Sequence, residues 1–331
     1  MRNNLLRVSM WCLGVSALIG NVVVILWRLC GKEEGGKKTH SFFVVNLAIS
    51  DFMMGAYMLT IAVADLHFGE RYSRVANEWR SGAICKTAGV ISVLSSEASV
   101  FFVTLISLDC FFGIVFPFSR IKLGNTTAKV LVALTWVSSL CLSIGPTFFV
   151  GADSKVYGLS DVCIGLPLLT KPTSFVIKES YIGNSSGTGS ILIPVGQGKE
   201  PAWIYSIVLF LGVNLLCFLV VFGAYLGMFI SVKLAGGKVR RFSKRNKDIK
   251  MAVKMGLIVG TDFACWMPVI VMGILSQTGL VDISPDMYAW VVVFILPINS
   301  SLNPYLYTFF TRFTTGRYRQ AKKDTRVLTL S

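Results

Sequence analysis

Seven long apolar stretches, separated by short polar segments, dominate the pattern of this chain. Each is nearly free of charge and reaches the roughly 20 residues that a helix needs to cross a hydrocarbon core about 30 Å thick. The pattern therefore predicts an all-α fold, with a seven-transmembrane helix bundle over residues 1–311. The predicted spans cover about 8–30, 41–66, 84–116, 128–151, 202–234, 249–278 and 286–311.

The segments outside the spans are short, with two exceptions. Residues 312–331 are expected to form a short amphipathic inner helix on the membrane and a cytoplasmic tail. The longest outer segment, Asp153–Pro201, contains Ser174–Ile177, which favours a short strand. The same segment contains the sequon Asn184–Ser186, a candidate glycosylation site. The first span begins almost at Met1, so we expect no N-terminal ectodomain in this chain.

Composition supports a membrane protein, and the charge distribution orients it. Of 331 residues, 53% are hydrophobic and only 15% are charged, which is too apolar for an ordinary soluble domain. With the N-terminus outside, the inner loops and tail hold 22 of the 32 Lys and Arg. This positive-inside bias predicts an extracellular N-terminus and a cytoplasmic C-terminus at the plasma membrane. The net charge of +15 then faces anionic membrane lipid rather than nucleic acid.

Only two of the eight cysteines lie on the outer, oxidising side in this orientation. They are Cys85, just before the third span, and Cys163, in the long outer segment. A disulfide between them would tie that segment to the top of the third span. No cysteine pair has metal-ligand spacing, and His40 and His67 lie in opposite loops, so we expect no metal chemistry.

Acidic side chains within the spans are the strongest candidates for function. Asp51, Glu97 and Asp262 have no Lys or Arg at similar depth, and intramembrane acids usually mark functional sites. Asparagines and serines of neighbouring spans, or a trapped cation, would satisfy them; a protonated carboxyl at Asp51 is the structural alternative. Pro268 and Pro304 predict kinks in the sixth and seventh spans. Two kinked helices around a polar core suggest a bundle that can adopt two arrangements.

Several motifs follow one another on the predicted spans. They are Gly20-Asn21, Asn46-Leu47-Ala48 with Asp51, Cys85 with Cys163, Trp136, Cys265-Trp266-Met267-Pro268 and Asn303-Pro304-Tyr305-Leu306-Tyr307. In this order they resemble the rhodopsin-like class of G protein-coupled receptors over essentially the whole chain. Four further stretches are similar to the leucine-rich-repeat branch, which includes glycoprotein-hormone and relaxin receptors: 96–101, 114–118, 261–263 and 296–302. The long outer segment favours relaxin-type relatives, or invertebrate ones with lipoprotein-receptor-like repeats.

The resemblance implies roles for these polar residues. The positions where the class binds a sodium ion and relays activation are Asp51, Ser99, Asn299, Ser300 and Asn303. The positions of its activation switch are Asp262, Trp266, Pro268, Pro304 and Tyr307. In this scheme Asp262 holds Asn299 or Asn303 at rest, Trp266 changes rotamer and Tyr307 moves inward. The implied partners are a heterotrimeric G protein and a protein or peptide hormone bound by a leucine-rich-repeat ectodomain.

Two features depart from the resembled class. The class places an arginine after the acid that ends the third span, whereas Cys110 follows Asp109 here. That arginine normally pairs with an acid at the base of the sixth span, which corresponds to Asp248. Cysteine has neither the charge nor the donors of a guanidinium, so weak or absent G protein activation is expected. The missing repeat ectodomain suggests a fragment of a longer receptor or a truncated isoform.

Other functional classes fit the sequence less well. A transporter would be expected to show internal repeats, and neither a repeat nor an even number of spans is present. An intramembrane enzyme would need a nucleophile with its base, or a metal set, and the pattern contains neither. The main alternative is a non-signalling or truncated receptor-like membrane protein, because Cys110 interrupts the coupling motif.

Overall fold

We describe the fold from a computed structural model of the chain. The structure describes residues 4–30, 38–116, 123–149, 157, 162–164, 171–181, 188–198, 205, 208–234, 256, 259–261, 263–268, 270–272, 274, 275, 290, 291, 294 and 297–306. Among these residues, five helices are long and apolar enough to cross a membrane. The described residues between 256 and 275 are also helical, as are residues 297–306.

Six helices of ten residues or more have defined bounds in the described part of the chain. They are α1 (Asn4–Cys30), α2 (Lys38–Phe68), α3 (Tyr72–Ser81), α4 (Ala83–Val115), α5 (Asn125–Phe149) and α6 (Leu215–Leu234). A 3-10 turn, Gly69–Arg71, joins α2 to α3, and a π-helical turn, Val208–Asn214, leads into α6. The sequence pattern did not predict that the outer connection between α2 and α4 would be helical.

Helices α2 and α4 form the centre of the bundle. α1 packs on α2, α2 packs on α4, and α4 also contacts α5 and α6. In the most apolar 18-residue stretch of each helix, 56% of the residues of α2 and 50% of those of α4 are buried, compared with 28% for α1. Polar side chains on these two central helices therefore need hydrogen-bond partners from the neighbouring helices.

The outward face of α6 shows what surrounds the bundle. Its exposed large apolar side chains follow helical spacing: Leu216, Leu219, Phe222, Leu226 and Phe229. Soluble monomers rarely present so continuous an apolar surface to water. This face is suited to contact with lipid, as expected for a transmembrane helix.

The outer segment between α5 and α6 contains a two-stranded antiparallel sheet. Strand β1 (Lys171–Tyr181) pairs with β2 (Thr188–Gly198), and the register sets Tyr181 opposite Thr188 near the turn. The predicted strand at Ser174–Ile177 lies within β1. Apart from this hairpin, the described part of the chain is almost entirely helical.

Two apolar clusters position the polar residues of the bundle. The outer cluster includes Met54 and Met58 of α2 and Val100 of α4. The inner cluster includes Leu47 of α2 and Phe102 of α4. Between the two clusters, α2 and α4 bring polar side chains to the same depth, and this polar layer forms the candidate site.

Candidate functional site

Asp51 lies at the centre of the polar layer and is fully buried. Its Oδ1 accepts hydrogen bonds from Ser300 Oγ at 2.9 Å and Ser99 Oγ at 3.2 Å. Its Oδ2 accepts a hydrogen bond from Asn303 Nδ2 at 2.7 Å. One carboxylate of α2 therefore connects α4 with the 297–306 segment. Four of the five residues assigned to the sodium and activation core meet here.

The fifth residue of that predicted core, Asn299, is 4% exposed and belongs to the same helical segment. Asn21, which is not one of the five residues of the predicted core, joins α1 to this segment. Asn21 Nδ2 donates to the carbonyl oxygen of Ala17 at 2.7 Å and to that of Ser300 at 3.1 Å. The polar layer therefore involves α1, α2, α4 and the 297–306 segment.

Helix α1 approaches the 297–306 segment closely at Gly20. A Cβ atom at this position would lie 2.9 Å from the ring of Pro304, which is shorter than real carbon contacts allow. Glycine is therefore required for this approach, and it brings Asn21 within reach of the Ser300 carbonyl. Small residues commonly allow such close packing between transmembrane helices.

A second polar contact ties α2 to α5 on the inner side of Asp51. Trp136 Nε1 donates to Asn46 Oδ1 at 3.0 Å, and Asn46 Nδ2 donates to the carbonyl oxygen of Phe42 at 2.9 Å. The Trp136 ring also packs edge-on against Phe102, with ring centroids 5.6 Å apart. The sequence motif included both Asn46 and Trp136, and the structure shows that they bind each other.

Glu97 forms a further polar pair, with a partner that the sequence pattern does not identify. Asn214, the last residue of the π-helical turn, donates from Nδ2 to Glu97 Oε1 at 3.1 Å. Both side chains are fully buried. The one available signal for Asn214 was an amide within an otherwise apolar run, which alone does not identify its partner.

The outer loop is fixed to the top of the bundle at two points. Cys85, in the first turn of α4, forms a disulfide with Cys163. Nearby, Tyr57 Oη of α2 donates to the carbonyl oxygen of Val162 at 2.7 Å. The four described residues between α5 and β1 are at most 5% exposed: Tyr157, Val162, Cys163 and Ile164. This loop segment is therefore part of the outer apolar cluster.

Tyr157 anchors the same loop at a third point. Its hydroxyl donates to the carbonyl oxygen of Ser143 in α5. Its ring lies so close to Gly89 of α4 that a Cβ atom there would overlap it. Burial raises the pKa of the Tyr157 phenol, so the hydroxyl remains a donor at neutral pH.

The inner end of α4 brings two predicted residues into a buried setting. Asp109 is 4% exposed and Cys110 is fully buried within the inner cluster. His40 of α2 lies next to this carboxylate, with 3.8 Å between His40 Nδ1 and Asp109 Oδ2. The sequence pattern places His40 in a loop, whereas the structure places it in the first turn of α2.

The predicted switch residues divide into two groups. Trp266 is 5% exposed and belongs to the outer cluster, and Pro304 packs against α1. Pro268 is described as exposed. The other two, Asp262 and Tyr307, lie outside the described residues, as do the G protein-facing candidate Asp248 and the glycosylation candidate Asn184. The expected contact of Asp262 with Asn299 or Asn303 stays a prediction.

Comparisons with known proteins match this architecture. The profile of the seven-transmembrane receptors of the rhodopsin family matches residues 20–307. The chain is 38% identical over 320 residues to G-protein coupled receptor GRL101 of Lymnaea stagnalis and 32% identical over 323 residues to human relaxin receptor 2. Each match covers 97% of this chain, but only 26% and 39% of those proteins.

A solved structure supports the same fold. Squid rhodopsin superposes with a TM-score of 0.65 at 19% identity, covering 98% of this chain and 85% of that one. The predicted seven-helix bundle is thereby confirmed, and the relaxin receptor match confirms the predicted branch. The chain belongs to the rhodopsin family of seven-transmembrane receptors and is a multi-pass membrane protein of the branch that contains the relaxin receptors.

Proposed function

We propose that this chain is the transmembrane part of a receptor that relays the binding of a protein or peptide hormone to heterotrimeric G proteins. The hormone would bind mainly on a leucine-rich-repeat ectodomain, which these 331 residues do not include. The chain would sit in the plasma membrane with its N-terminus extracellular and its C-terminus cytoplasmic. The observation that carries this proposal is the Asp51 cluster, in a chain of the rhodopsin family.

The Asp51 cluster is suited to a relay because it joins separate helices through one charge. Its donors come from α4 and from the 297–306 segment, while Asp51 itself belongs to α2. A buried carboxylate strongly favours arrangements in which donors surround it. Rearranging one helix therefore changes the contacts of the others, as a two-state element requires.

A sodium ion at Asp51 is part of this proposal. Oxygen atoms are the preferred ligands of hard cations, and the cluster offers the Asp51 carboxylate and the hydroxyls of Ser99 and Ser300. Asn303 Oδ1 is buried and has no hydrogen-bond partner in the described part of the chain. These residues fit a monovalent cation, which would neutralise the carboxylate and hold the three elements together.

The inner end determines how strongly this relay reaches a G protein. Cys110 occupies the position of the arginine that the family uses for coupling, and its side chain is buried and lacks a guanidinium. We therefore expect low nucleotide exchange from the native chain. Cys110→Arg restores a charged fork of donors beside Asp109, and we expect it to raise exchange on purified heterotrimeric G protein.

The test uses the full chain in lipid nanodiscs, with Cys30→Arg as the matched control. Cys30 is an exposed cysteine at the inner end of α1, so this variant adds the same charge away from the third span. Exchange that rises with Cys110→Arg and not with Cys30→Arg supports the proposal. No exchange from any variant supports the non-signalling alternative, and equal, robust exchange from all three refutes the role given to Cys110.

A further inference from the structure

A buried carboxylate lies at the inner end of α4, where the family would place an arginine beside it. Asp109 is 4% exposed, and the next residue, Cys110, is fully buried and has no cationic side chain. Transfer of a carboxylate out of water is unfavourable unless an opposite charge or donors face it. A positive charge close to Asp109 would therefore be stabilising, and Cys110 does not provide one.

The structure places a histidine of α2 against this carboxylate. His40 is 8% exposed, and its Nδ1 lies 3.8 Å from Asp109 Oδ2. This separation fits an ion pair and is longer than a direct hydrogen bond. Histidine can carry a positive charge near neutral pH. His40 can thus supply the charge that the residue after Asp109 does not.

The surroundings of this pair strengthen the attraction. One helical turn away, Val44 of α2 and Ile106 of α4 are at most 3% exposed and belong to the inner cluster. Opposite charges attract more strongly next to such a water-poor region than in bulk water. The first turn of α2 works against a cation, because a helix N-terminus carries partial positive charge. A full negative charge at 3.8 Å outweighs that partial charge.

We infer that protonated His40 is a counter-charge of Asp109, and that this pair fastens α2 to α4 at the inner end of the bundle. The pair joins the second and third spans at the depth where Cys110 replaces the arginine. The inference rests on burial and distance, and only its consequence for coupling rests on the proposed function. Opening of the pair would loosen the inner end and expose Cys110.

Alkylation of Cys110 tests this pair in the full chain in membranes. N-ethylmaleimide labelling is followed by peptide mass spectrometry, with the exposed Cys30 as internal reference. We expect His40→Gln and Asp109→Asn each to raise the labelling rate of Cys110 about tenfold. The double variant is expected to match the single ones, because all three lose the same interaction. Lys38→Gln removes an exposed neighbouring charge and is expected to leave the rate unchanged.

A reciprocal exchange provides the second arm of the test. His40→Asp combined with Asp109→His keeps the pair, so we expect its labelling rate to return to within about threefold of the native rate. If the single variants fail to reach the membrane, recovery by the exchanged variant supports the pair and its equal failure overturns it. The pair is also overturned if Cys110 is labelled at the native rate in the single variants. It is likewise overturned if the increase in the double variant equals the product of the two single increases.

Nucleotide exchange on G protein, measured for the native chain and for Cys110→Arg, separates this inference from the proposed function. If labelling follows the expected pattern and neither of these two chains supports exchange, the proposed function fails while the His40–Asp109 pair stands. If Cys110→Arg raises exchange and labelling does not change in the His40 and Asp109 variants, the pair is refuted while the proposed function stands.

Discussion

Removal of the Asn303 amide should weaken the bundle more than removal of either serine that binds Asp51. Asn303 makes the shortest of the three contacts, at 2.7 Å, and is the donor to Oδ2 among the described residues. Ser99 makes the longest, at 3.2 Å, to Oδ1, which Ser300 also contacts at 2.9 Å. Substitution of Asn303 therefore removes the donor to Oδ2, whereas substitution of either serine leaves the other serine as a donor to Oδ1.

The magnitudes follow from this geometry. Hydrogen bonds between transmembrane helices contribute about 0.6 kcal/mol on average, and a charged acceptor roughly doubles that value. Asn303→Ala leaves Oδ2 buried without this donor, so we expect a loss of about 1–2 kcal/mol in the free energy of unfolding. Ser99→Ala leaves the shorter contact to Oδ1 in place, and we expect about 0.5 kcal/mol.

Thermal unfolding of the purified chain in detergent gives the ranking. A thiol-reactive dye reports exposure of the buried and half-buried cysteines within the spans, such as Cys110 and Cys217. The same substitution of Asn303 in an Asp51→Ala background should cost much less, because its acceptor is gone. A loss for Ser99→Ala as large as for Asn303→Ala, or an unchanged loss in the Asp51→Ala background, would refute the reasoning.

Three further predictions concern other contacts of the bundle. If sodium binds at Asp51, sodium at ten times its dissociation constant should stabilise the native chain by about 1.4 kcal/mol relative to the same buffer with choline. Asp51→Asn should abolish this difference, measured as the unfolding temperature. Gly89→Ala should reduce the fraction of chain at the cell surface, because the new methyl overlaps the ring of Tyr157. Its control, Gly223→Ala, places the methyl in open space and should be neutral or stabilising by up to about 1 kcal/mol. Trp136→Phe should lower the free energy of unfolding by about 1 kcal/mol by leaving Asn46 Oδ1 without its donor; the same loss in an Asn46→Leu background would contradict this contact.

The sequence alone went far towards the fold because a membrane restricts the choices. Backbone groups must be satisfied within each span, so long apolar stretches predict helices, and α1, α2, α4 and α5 follow the predicted spans closely. Residue type alone also marked Asp51 as a candidate, because a charge at that depth is costly without a function. The motif resemblance then selected Ser99, Ser300 and Asn303, which the structure places around it.

Only the tertiary structure decided which buried groups pair. Glu97 contacts Asn214, 117 residues later, and His40 lies beside Asp109 across two helices. A helix that is apolar on all sides has no clear polar face from which its rotation could be predicted. Close approaches such as Gly20 against Pro304 fix that rotation, and they depend on packing between helices distant in sequence. The sequence therefore determined the seven spans and the charge at Asp51, whereas the packing of helices determined which side chains satisfy that charge and the others.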